Sequence, residues 1–497
     1  LATLDIRQDS AVHRQVVGAL LEDPGFAAAP ADERATRLHD LFDRDHVAAA
    51  KDVPETTQTI EVFAGIAAAR AQYGGKAIGP YIISMAQGAD VALAVLWLAR
   101  CAGLTDPGGR VPIDVAPLFE TVGDLDHAGE TLERLLTDPL YRRHVEARGN
   151  RQTVMLGYSD SSKESGLAAS RWALYRAELA LSDAAERAGV ELTLFHGRGG
   201  TPSRGGSKPR AGILAQPPGV MNGRLRVPEQ GEIIHAKYGL RGIALRTLEL
   251  VTGAVLESAA APSGAGALPP EWVTAIDEVA SRARSTYRNL VWEDPDFVPY
   301  FRGATPIDVI ERLEIGSRPA SRRSGGGVEN LRAIPWVFAW TQNRHLLPGW
   351  YGVGSGLEAA VACCGEGTLS RMAAEWPFFS TLLADVEMVL AKADMGIAER
   401  YAGLAGETGA KLFPRVVAEY RRTRDLVCRI RGISEPLERE PVLARSIMLR
   451  NPYVDPISLL QVDLLGRWRA GGRSDPDLEE ALKETVRGIA RGMQNTG

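Results

Sequence analysis

The sequence has 497 residues, of which 45% are hydrophobic and 24% charged, and its formal net charge at pH 7 is −5. This composition is typical of a globular protein with a large buried core, and the net charge gives no overall attraction to nucleic acids or anionic membranes. The longest apolar stretch in a helical context, Val91 to Ala99, is about half as long as a membrane span requires. We therefore expect neither a membrane nor a nucleic acid as partner.

Short apolar runs in the first part of the chain each end in a polar or glycine-rich segment, as buried parallel strands do. The seven runs are Leu4 to Ile6, Tyr81 to Ile83, Ile113 to Phe119, Val154 to Tyr158, Leu192 to Phe195, Leu313 to Ile315 and Ile334 to Trp340. Helical patterns such as Ser161 to Gly189 and Glu271 to Leu290 lie between them. This alternation predicts an α/β fold with a parallel sheet or barrel, in which functional groups follow the carboxyl ends of the strands.

After Trp340 the pattern changes to long amphipathic helices. One of them places Leu382, Val386 and Val389 on a single face. Near the end of the chain, Ser474 is predicted to cap a helix. We accordingly predict a barrel with active-site loops over residues 1–345 and an additional helical region over residues 346–497.

The segment from Phe195 to Gly206 places His196, Arg198 and Arg204 on a glycine-rich backbone. Glycines let main-chain amides approach an anion closely, and arginine binds phosphate or carboxylate oxygens bidentately. The segment contains no GxxxxGK[ST] motif, and no GxGxxG motif follows a strand. It predicts an anion site, although a flexible basic surface loop would have the same composition.

Two carboxylates follow predicted strands. Glu120 ends one apolar run, and Asp160 follows another, with Lys163 one helical turn further on. Two carboxylates can hold magnesium or manganese when substrate and water complete the coordination, and Lys163 could bind a phosphate. The alternatives are that Glu120 is only an ion-pair partner and that Asp160 or Ser161 only caps a helix.

A basic, triple-glycine segment joins the last two predicted strands. It contains Arg318 and Ser324 to Gly327, and Arg332 precedes the second of these strands. This composition suits a mobile lid over an anionic substrate, and a solvated linker would look similar.

Together these segments resemble phosphoenolpyruvate carboxylase over essentially the whole chain, from Leu4 to Gly497. The histidine–arginine–glycine loop is followed, in the order of that family, by Gln216-Pro217-Pro218-Gly219, Glu229-Gln230-Gly231-Glu232 and Ala333 to Arg344. The resemblance implies a predominantly helical α/β fold built on a (β/α)8 barrel of the TIM type, with about seven of the eight strands in this chain. It also implies a cytoplasmic carboxy-lyase that assembles as a homo-tetramer.

The reaction implied by the resemblance joins phosphoenolpyruvate and bicarbonate through carboxyphosphate and enolpyruvate, giving oxaloacetate for the tricarboxylic acid cycle and inorganic phosphate. Glu120 and Asp160 match the ligands of Mg²⁺ or Mn²⁺. The residues that match the phosphoenolpyruvate-binding arginines or lie near them are Arg7, Arg198, Arg332, Arg318 and Lys163. His196 matches a histidine of the bicarbonate or carboxyphosphate step, and Arg204 matches an arginine needed for carboxylation.

The resemblance also implies a feedback site for aspartate or malate. Its ligands match Lys392, Arg450, Asn495 and again Arg204. If an effector carboxylate draws Arg204 away, that residue is lost to catalysis, which would be a direct mechanism of inhibition.

The sequence departs from the family in three places. The Thr-Ala-His-Pro-Thr segment is absent, so we expect an upstream catalytic segment to be missing and the chain alone to have little or no carboxylase activity. Pro202-Ser203 and Ser207-Lys208 change the arginine loop, and Ser324 to Gly327 change the lid. A non-catalytic module that binds phosphoenolpyruvate or a dicarboxylate is the main alternative. Nucleic-acid binding is the weakest, because no aromatic residues are interleaved with the basic loops.

Overall fold

The computed structural model of the chain describes residues 3–48, 54–229, 231–260, 268–313 and 327–494. The chain forms two compact units. The unit that we call the sheet unit comprises Leu1–Gly157, Ala173–Gly197 and Val220–Pro228, and the helical unit comprises Tyr158–Trp172, Arg198–Gly219 and Glu229–Gly497.

The sheet unit is built on five parallel strands, paired in the order β1-β2-β3-β4-β5. Their bounds are β1 (Leu4–Asp9), β2 (Ile78–Ser84), β3 (Val115–Phe119), β4 (Arg151–Gly157) and β5 (Glu191–Gly197). A single parallel bridge joins Phe195 of β5 to Arg226. Because neighbouring strands run parallel, their carboxyl ends lie at the same edge of the sheet.

Helices separate these strands. They are α1 (Ser10–Leu21), α2 (Ala31–Asp43), α3 (Pro54–Tyr73), α4 (Ala89–Cys101), α5 (Val122–Asp126), α6 (Ala128–Thr137), α7 (Pro139–Ala147), α8 (Ser159–Ser165) and α9 (Leu167–Arg187). All five residues of β3 are buried, as expected for a parallel strand covered on both faces. The predicted α/β class, with a parallel sheet and a predominantly helical chain, is confirmed, and closure into a barrel stays a prediction.

The helical unit contains the remaining helices. They are α10 (Pro209–Leu214), α11 (Gly231–Tyr238), α12 (Arg241–Ala260), α13 (Pro270–Val291), α14 (Phe297–Ala304), α15 (Ile307–Ile310), α16 (Ala333–Gln342), α17 (Val353–Cys364), α18 (Glu366–Glu375), α19 (Pro377–Lys392), α20 (Met395–Gly403), α21 (Gly406–Arg431), α22 (Pro441–Met448), α23 (Asn451–Ala470) and α24 (Pro476–Met493). The predicted boundary near residue 345 stays a prediction. Within the described residues, no helix combines the length and apolar composition that crossing a membrane requires.

The predicted strand from Ile334 to Trp340 is wrong, because this segment lies in helix α16. Trp336 and Trp340 lie one turn apart on α16, and both pack against Phe301 of α14, with ring centroids 5.2 and 5.4 Å away. Nearly every residue of α16 is buried, so the apolar run lacks the periodicity that distinguishes a helix from a strand. The proline at position 335 is tolerated because it lies in the first turn.

Two smaller sequence predictions are also settled. Helix α24 is capped by Asp475, which accepts from the amides of Asp477 and Leu478, and not by Ser474. Leu313 lies in a bend, so it begins no strand. The rest of that predicted strand, at residues 314–315, lies outside the described residues, as do Arg318 and most of the predicted lid.

Candidate active site

In the sheet unit, one arginine connects the carboxyl ends of three neighbouring strands. Arg7 of β1 donates from Nη2 to Oε2 of Glu120 at 2.7 Å and from Nε to Oγ of Ser84 at 2.6 Å. Ser84 ends β2, and Glu120 directly follows β3. The Glu120 carboxylate is buried, so the charge-assisted bond to Arg7 compensates for its lost hydration. The structure thus brings together two of the residues predicted from the sequence, and Glu120 is indeed an ion-pair partner.

His196 lies in β5 of the sheet unit and is 1% exposed. Its Nδ1 atom is 3.7 Å from Oε1 of Glu178 on α9, a carboxylate that is also buried. This distance is longer than a hydrogen bond, so the Glu178 carboxylate acts on this imidazole through its charge, which favours a proton on Nδ1. Glu178 was not predicted from the sequence, since it occupies an ordinary position in an amphipathic helix.

In the helical unit, two arginines contact the start of α8 or the residue that precedes it, and α8 itself carries a lysine. Arg198 donates to the Tyr158 hydroxyl, and Arg204 donates from Nε to Oγ of Ser159, each at 3.3 Å. Lys163 donates from Nζ to the carbonyl oxygen of Leu331 at 2.5 Å. Arg332 follows Leu331 directly and forms the amino-terminal cap position of α16. Three of the sequence-predicted cations of this unit, Arg198, Arg204 and Lys163, therefore lie on α8 or contact its start.

Asp160 lies in the first turn of α8. The helix begins at Ser159, and its cap residue, Tyr158, makes no capping hydrogen bond through its side chain. The alternative that Asp160 or Ser161 only caps this helix is therefore not what the structure shows. Gly157, which ends β4, allows close packing, because a Cβ atom there would lie 2.5 Å from Cβ of Glu120.

The arginine loop (residues 198–209) is compact. Pro202 begins a short 3₁₀ turn that ends at Arg204, which is 6% exposed. Gly205 has a φ of 89°, and a Cβ atom there would lie 2.5 Å from the Tyr158 ring. Pro202 suits the turn, because its fixed φ is that of the first position of a helical turn. The unusual residues of this loop therefore direct Arg204 towards α8.

The helical unit also contains a small cavity beside this loop. It is lined by Thr201, Pro202 and Ser203 of the loop, by Met388, Val389 and Lys392 of α19, and by Val337, Thr341, Leu346, Pro348 and Met493. Burial, and secondly the charge of Arg450, lower the pKa of Lys392 to about 8. Lys392 donates to the carbonyl of Met493 at 3.5 Å, and Arg450 donates to that of Gly492 at 2.8 Å. The structure thus groups two predicted effector ligands, whereas Asn495 lies outside the described residues.

The residues also bear on the implied metal ion. Among the described residues, no group of three or more His, Cys, Asp or Glu side chains could hold a metal. Mg²⁺ commonly takes only one or two carboxylates from a protein and completes its octahedron with water and substrate oxygens. Glu120, which follows β3 in the sheet unit, and Asp160, which lies in α8 of the helical unit, are each a single carboxylate of the kind that such an ion takes.

Comparison with known proteins gives one consistent result. A family model described as phosphoenolpyruvate carboxylase matches residues 1–497. Proteins named phosphoenolpyruvate carboxylase from Xanthomonas campestris pv. campestris and Rhodopseudomonas palustris are 51% and 43% identical to this chain. One from Roseiflexus castenholzii is 41% identical. Each comparison covers 100% of this chain but only 54 or 55% of the relative, so the chain spans about half the length of these relatives.

Proposed function

The chain belongs to the phosphoenolpyruvate carboxylase family, and from that premise we propose that it forms the carboxyl-terminal part of such an enzyme. The proposed reaction joins phosphoenolpyruvate and bicarbonate to give oxaloacetate and inorganic phosphate. The observation that supports the proposal is that Arg198 and Arg204 contact Tyr158 and Ser159 at the start of α8, the helix that carries Lys163. Clustered cations serve a reaction in which negative charge moves from a phosphate ester to an enolate and a carboxyphosphate.

In this mechanism, Arg7, Arg198 and Arg332 bind the phosphate of phosphoenolpyruvate, with Lys163 and Arg318 supporting them. Glu120 and Asp160 would hold Mg²⁺ or Mn²⁺, which would supply positive charge to offset the negative charge that develops in the reaction. His196, oriented by Glu178, acts in the bicarbonate and carboxyphosphate step. Arg204 assists carboxylation. Burial of Glu120, His196 and Arg204 helps to exclude water, which would otherwise protonate the enolate to pyruvate.

The chain alone is expected to form oxaloacetate about 10²- to 10⁴-fold more slowly than the chain joined to the amino-terminal segment of the Xanthomonas campestris relative. We call this fusion the complemented protein. The factor is that of a lost acid or base, because the resemblance places an essential histidine in a Thr-Ala-His-Pro-Thr segment, and the given sequence does not contain that segment. Oxaloacetate is measured by coupled reduction with malate dehydrogenase. Full turnover by the chain alone would contradict the role of that histidine. A complemented protein that binds phosphoenolpyruvate but never turns over would instead support the non-catalytic alternative.

We further propose that the cavity beside the arginine loop binds aspartate or malate. Lys392 and Arg450 supply positive charge, and the loop residues at the cavity wall connect the site to Arg204. An effector carboxylate there competes with the reaction for Arg204.

Aspartate binding to the chain is expected to weaken as the pH rises above about 8. The pKa of Lys392 is lowered to about 8, so its ammonium group is charged below that pH and loses its proton above it. The apparent dissociation constant should therefore rise by up to about tenfold per pH unit. Calorimetric titrations from pH 7 to 9.5 measure the effect. Lys392→Met should bind weakly at every pH, and Lys411→Met should behave like the unaltered chain. A persistent pH dependence in Lys392→Met would assign the titration to another group.

Self-association is proposed to involve helix α12. This helix exposes four large apolar side chains, Ile243, Leu245, Leu248 and Leu256, each at least 47% accessible. Exposed apolar surface of this kind marks interaction sites. The family resemblance implies a homo-tetramer, which favours a second copy of the chain as the partner. The double variant Leu245→Glu/Leu248→Glu is expected to lower the mass measured by light scattering, and Tyr73→Glu is expected to leave it unchanged. An unchanged mass in the double variant would exclude α12 from the assembly. We also propose a cytoplasmic location for the enzyme, as the family resemblance implies.

A further inference from the structure

The buried carboxylate of Asp385 on α19 contacts both the arginine loop and α9. Oδ2 of Asp385 accepts from the Ser207 hydroxyl at 2.5 Å and from Nη2 of Arg171 at 2.9 Å. Asp385 is 5% exposed. Arg171 in turn donates to the Ser207 hydroxyl at 3.3 Å. The three side chains form a closed set of contacts between α9, α19 and the loop.

The same helix also reaches the cavity that we assign to the effector. Lys392 lies about two helical turns beyond Asp385, and both belong to α19. The loop residues that line this cavity lie next to Arg204, and Ser207 lies just beyond it. In the conformation held by Asp385, however, Arg204 donates to Ser159, the first residue of α8, the helix that also carries Asp160 and Lys163.

We propose that Asp385 is a positioning residue that holds the arginine loop, through Ser207 and Arg171, in the conformation that presents Arg204 to the reaction and withholds it from the effector. This inference rests on the proposed function. Its physical basis is an equilibrium between two loop conformations, one for each position of Arg204. A contact that forms in only one of these conformations shifts the equilibrium towards that conformation. A hydrogen bond to a charged, buried group is strong enough to shift such an equilibrium about tenfold.

The inference predicts opposite changes in two measurements. In the complemented protein, Ser207→Ala and Asp385→Asn are each expected to lower kcat about tenfold and to lower the aspartate concentration for half-inhibition by a similar factor. A residue that only stabilised the fold would not tighten inhibition while slowing turnover. Weaker inhibition together with slower turnover, or no change in either, would overturn the proposal.

Glu440→Gln is the matched control. Lys208, the residue after Ser207, pairs with Glu440 in an exposed contact whose side chains are 56% and 47% accessible. Exposed pairs of this kind contribute little, so this variant should leave both measurements within about twofold. An effect as large as that of Ser207→Ala would mean that any disturbance of the loop suffices, and the specific role of Asp385 would be lost.

Hydrogen exchange separates this inference from the proposed function, because it needs no turnover. In the chain alone, amides of residues 199–212 should exchange about tenfold faster in Ser207→Ala, while the core of the helical unit keeps its protection. Unchanged exchange in the loop would overturn the proposal even if the enzyme assignment held. If the complemented protein fails to form oxaloacetate, the enzyme assignment fails, and this exchange result still decides whether Asp385 holds the loop.

The pH dependence of this exchange gives a further check. Burial raises the pKa of Asp385 to about 6, against the opposing effects of Arg171, Ser207 and Arg198. The carboxylate is therefore ionised and accepts both hydrogen bonds above that pH, and it is protonated below it. After correction for intrinsic rates, loop protection in the unaltered chain should fall as the pH drops through 6. It should stay low and nearly constant in Asp385→Asn, and a similar pH dependence in that variant would contradict the assignment.

Discussion

Replacing Arg7 with methionine is expected to lower kcat/KM for phosphoenolpyruvate in the complemented protein by about 10²- to 10³-fold. This factor is typical for the loss of one fixed donor to a developing negative charge. Arg7 also holds Ser84 and Glu120 at the carboxyl ends of β2 and β3. Its removal leaves the buried Glu120 carboxylate without this guanidinium, so the carboxylate proposed to bind the metal also loses its orientation.

Arg226→Met provides a control at the other end of the same strand. Arg226 pairs with Asp5 of β1, and its side chain is 28% exposed, close to the 31% of Arg7. Each variant should lower the free energy of unfolding by a comparable amount, about 1 to 3 kcal/mol. Only Arg7→Met should lower kcat/KM strongly. Chemical denaturation and steady-state kinetics on both variants separate the two effects, and an equal kinetic loss in both would show that the strand, and not the Arg7 guanidinium, matters.

The strand ends show what could be predicted from the sequence. Glu120 and His196 stand out because each ends an apolar run that is too short to be a helix, and both lie at the carboxyl ends of strands. The signal that identifies them lies in residues that are neighbours in the sequence. The run at Ile334 to Trp340 gave the wrong result because its residues are buried on all sides of helix α16, which removes the periodicity of either structure.

The residues that orient the candidate site could not be found in this way. Glu178 lies beside His196, and Asp385 binds Ser207, a residue 178 positions away in the chain. In the sequence both are ordinary charged residues of helices. Which of them meets the site depends on how each helix packs, and that is a long-range property. A buried carboxylate becomes informative only when its burial and its partner are both known.

Replacing Arg204 with glutamine is expected to impair two activities together. Carboxylation by the complemented protein should fall about 10²- to 10³-fold, since Arg204 is buried and directed towards α8. The remaining activity should also become nearly insensitive to aspartate, because the same side chain is proposed as an effector ligand. Lys392→Met, in contrast, should lose inhibition while keeping its carboxylation rate within about twofold. Rates measured across aspartate concentrations give both quantities for each variant.

Arg210→Gln is the control for this comparison, because Arg210 lies just beyond the loop, and its side chain and that of its partner Glu257 are each 51% exposed. It should change neither quantity. If Arg204→Gln lost carboxylation but kept normal inhibition, the effector would act without taking this arginine from the reaction. Loss of both carboxylation and inhibition in Arg204→Gln, with loss of inhibition alone in Lys392→Met, would mean that the Arg204 guanidinium binds two competing anions. Inhibition would then need no long-range change of structure, because the loop that lines the proposed effector cavity also carries Arg204.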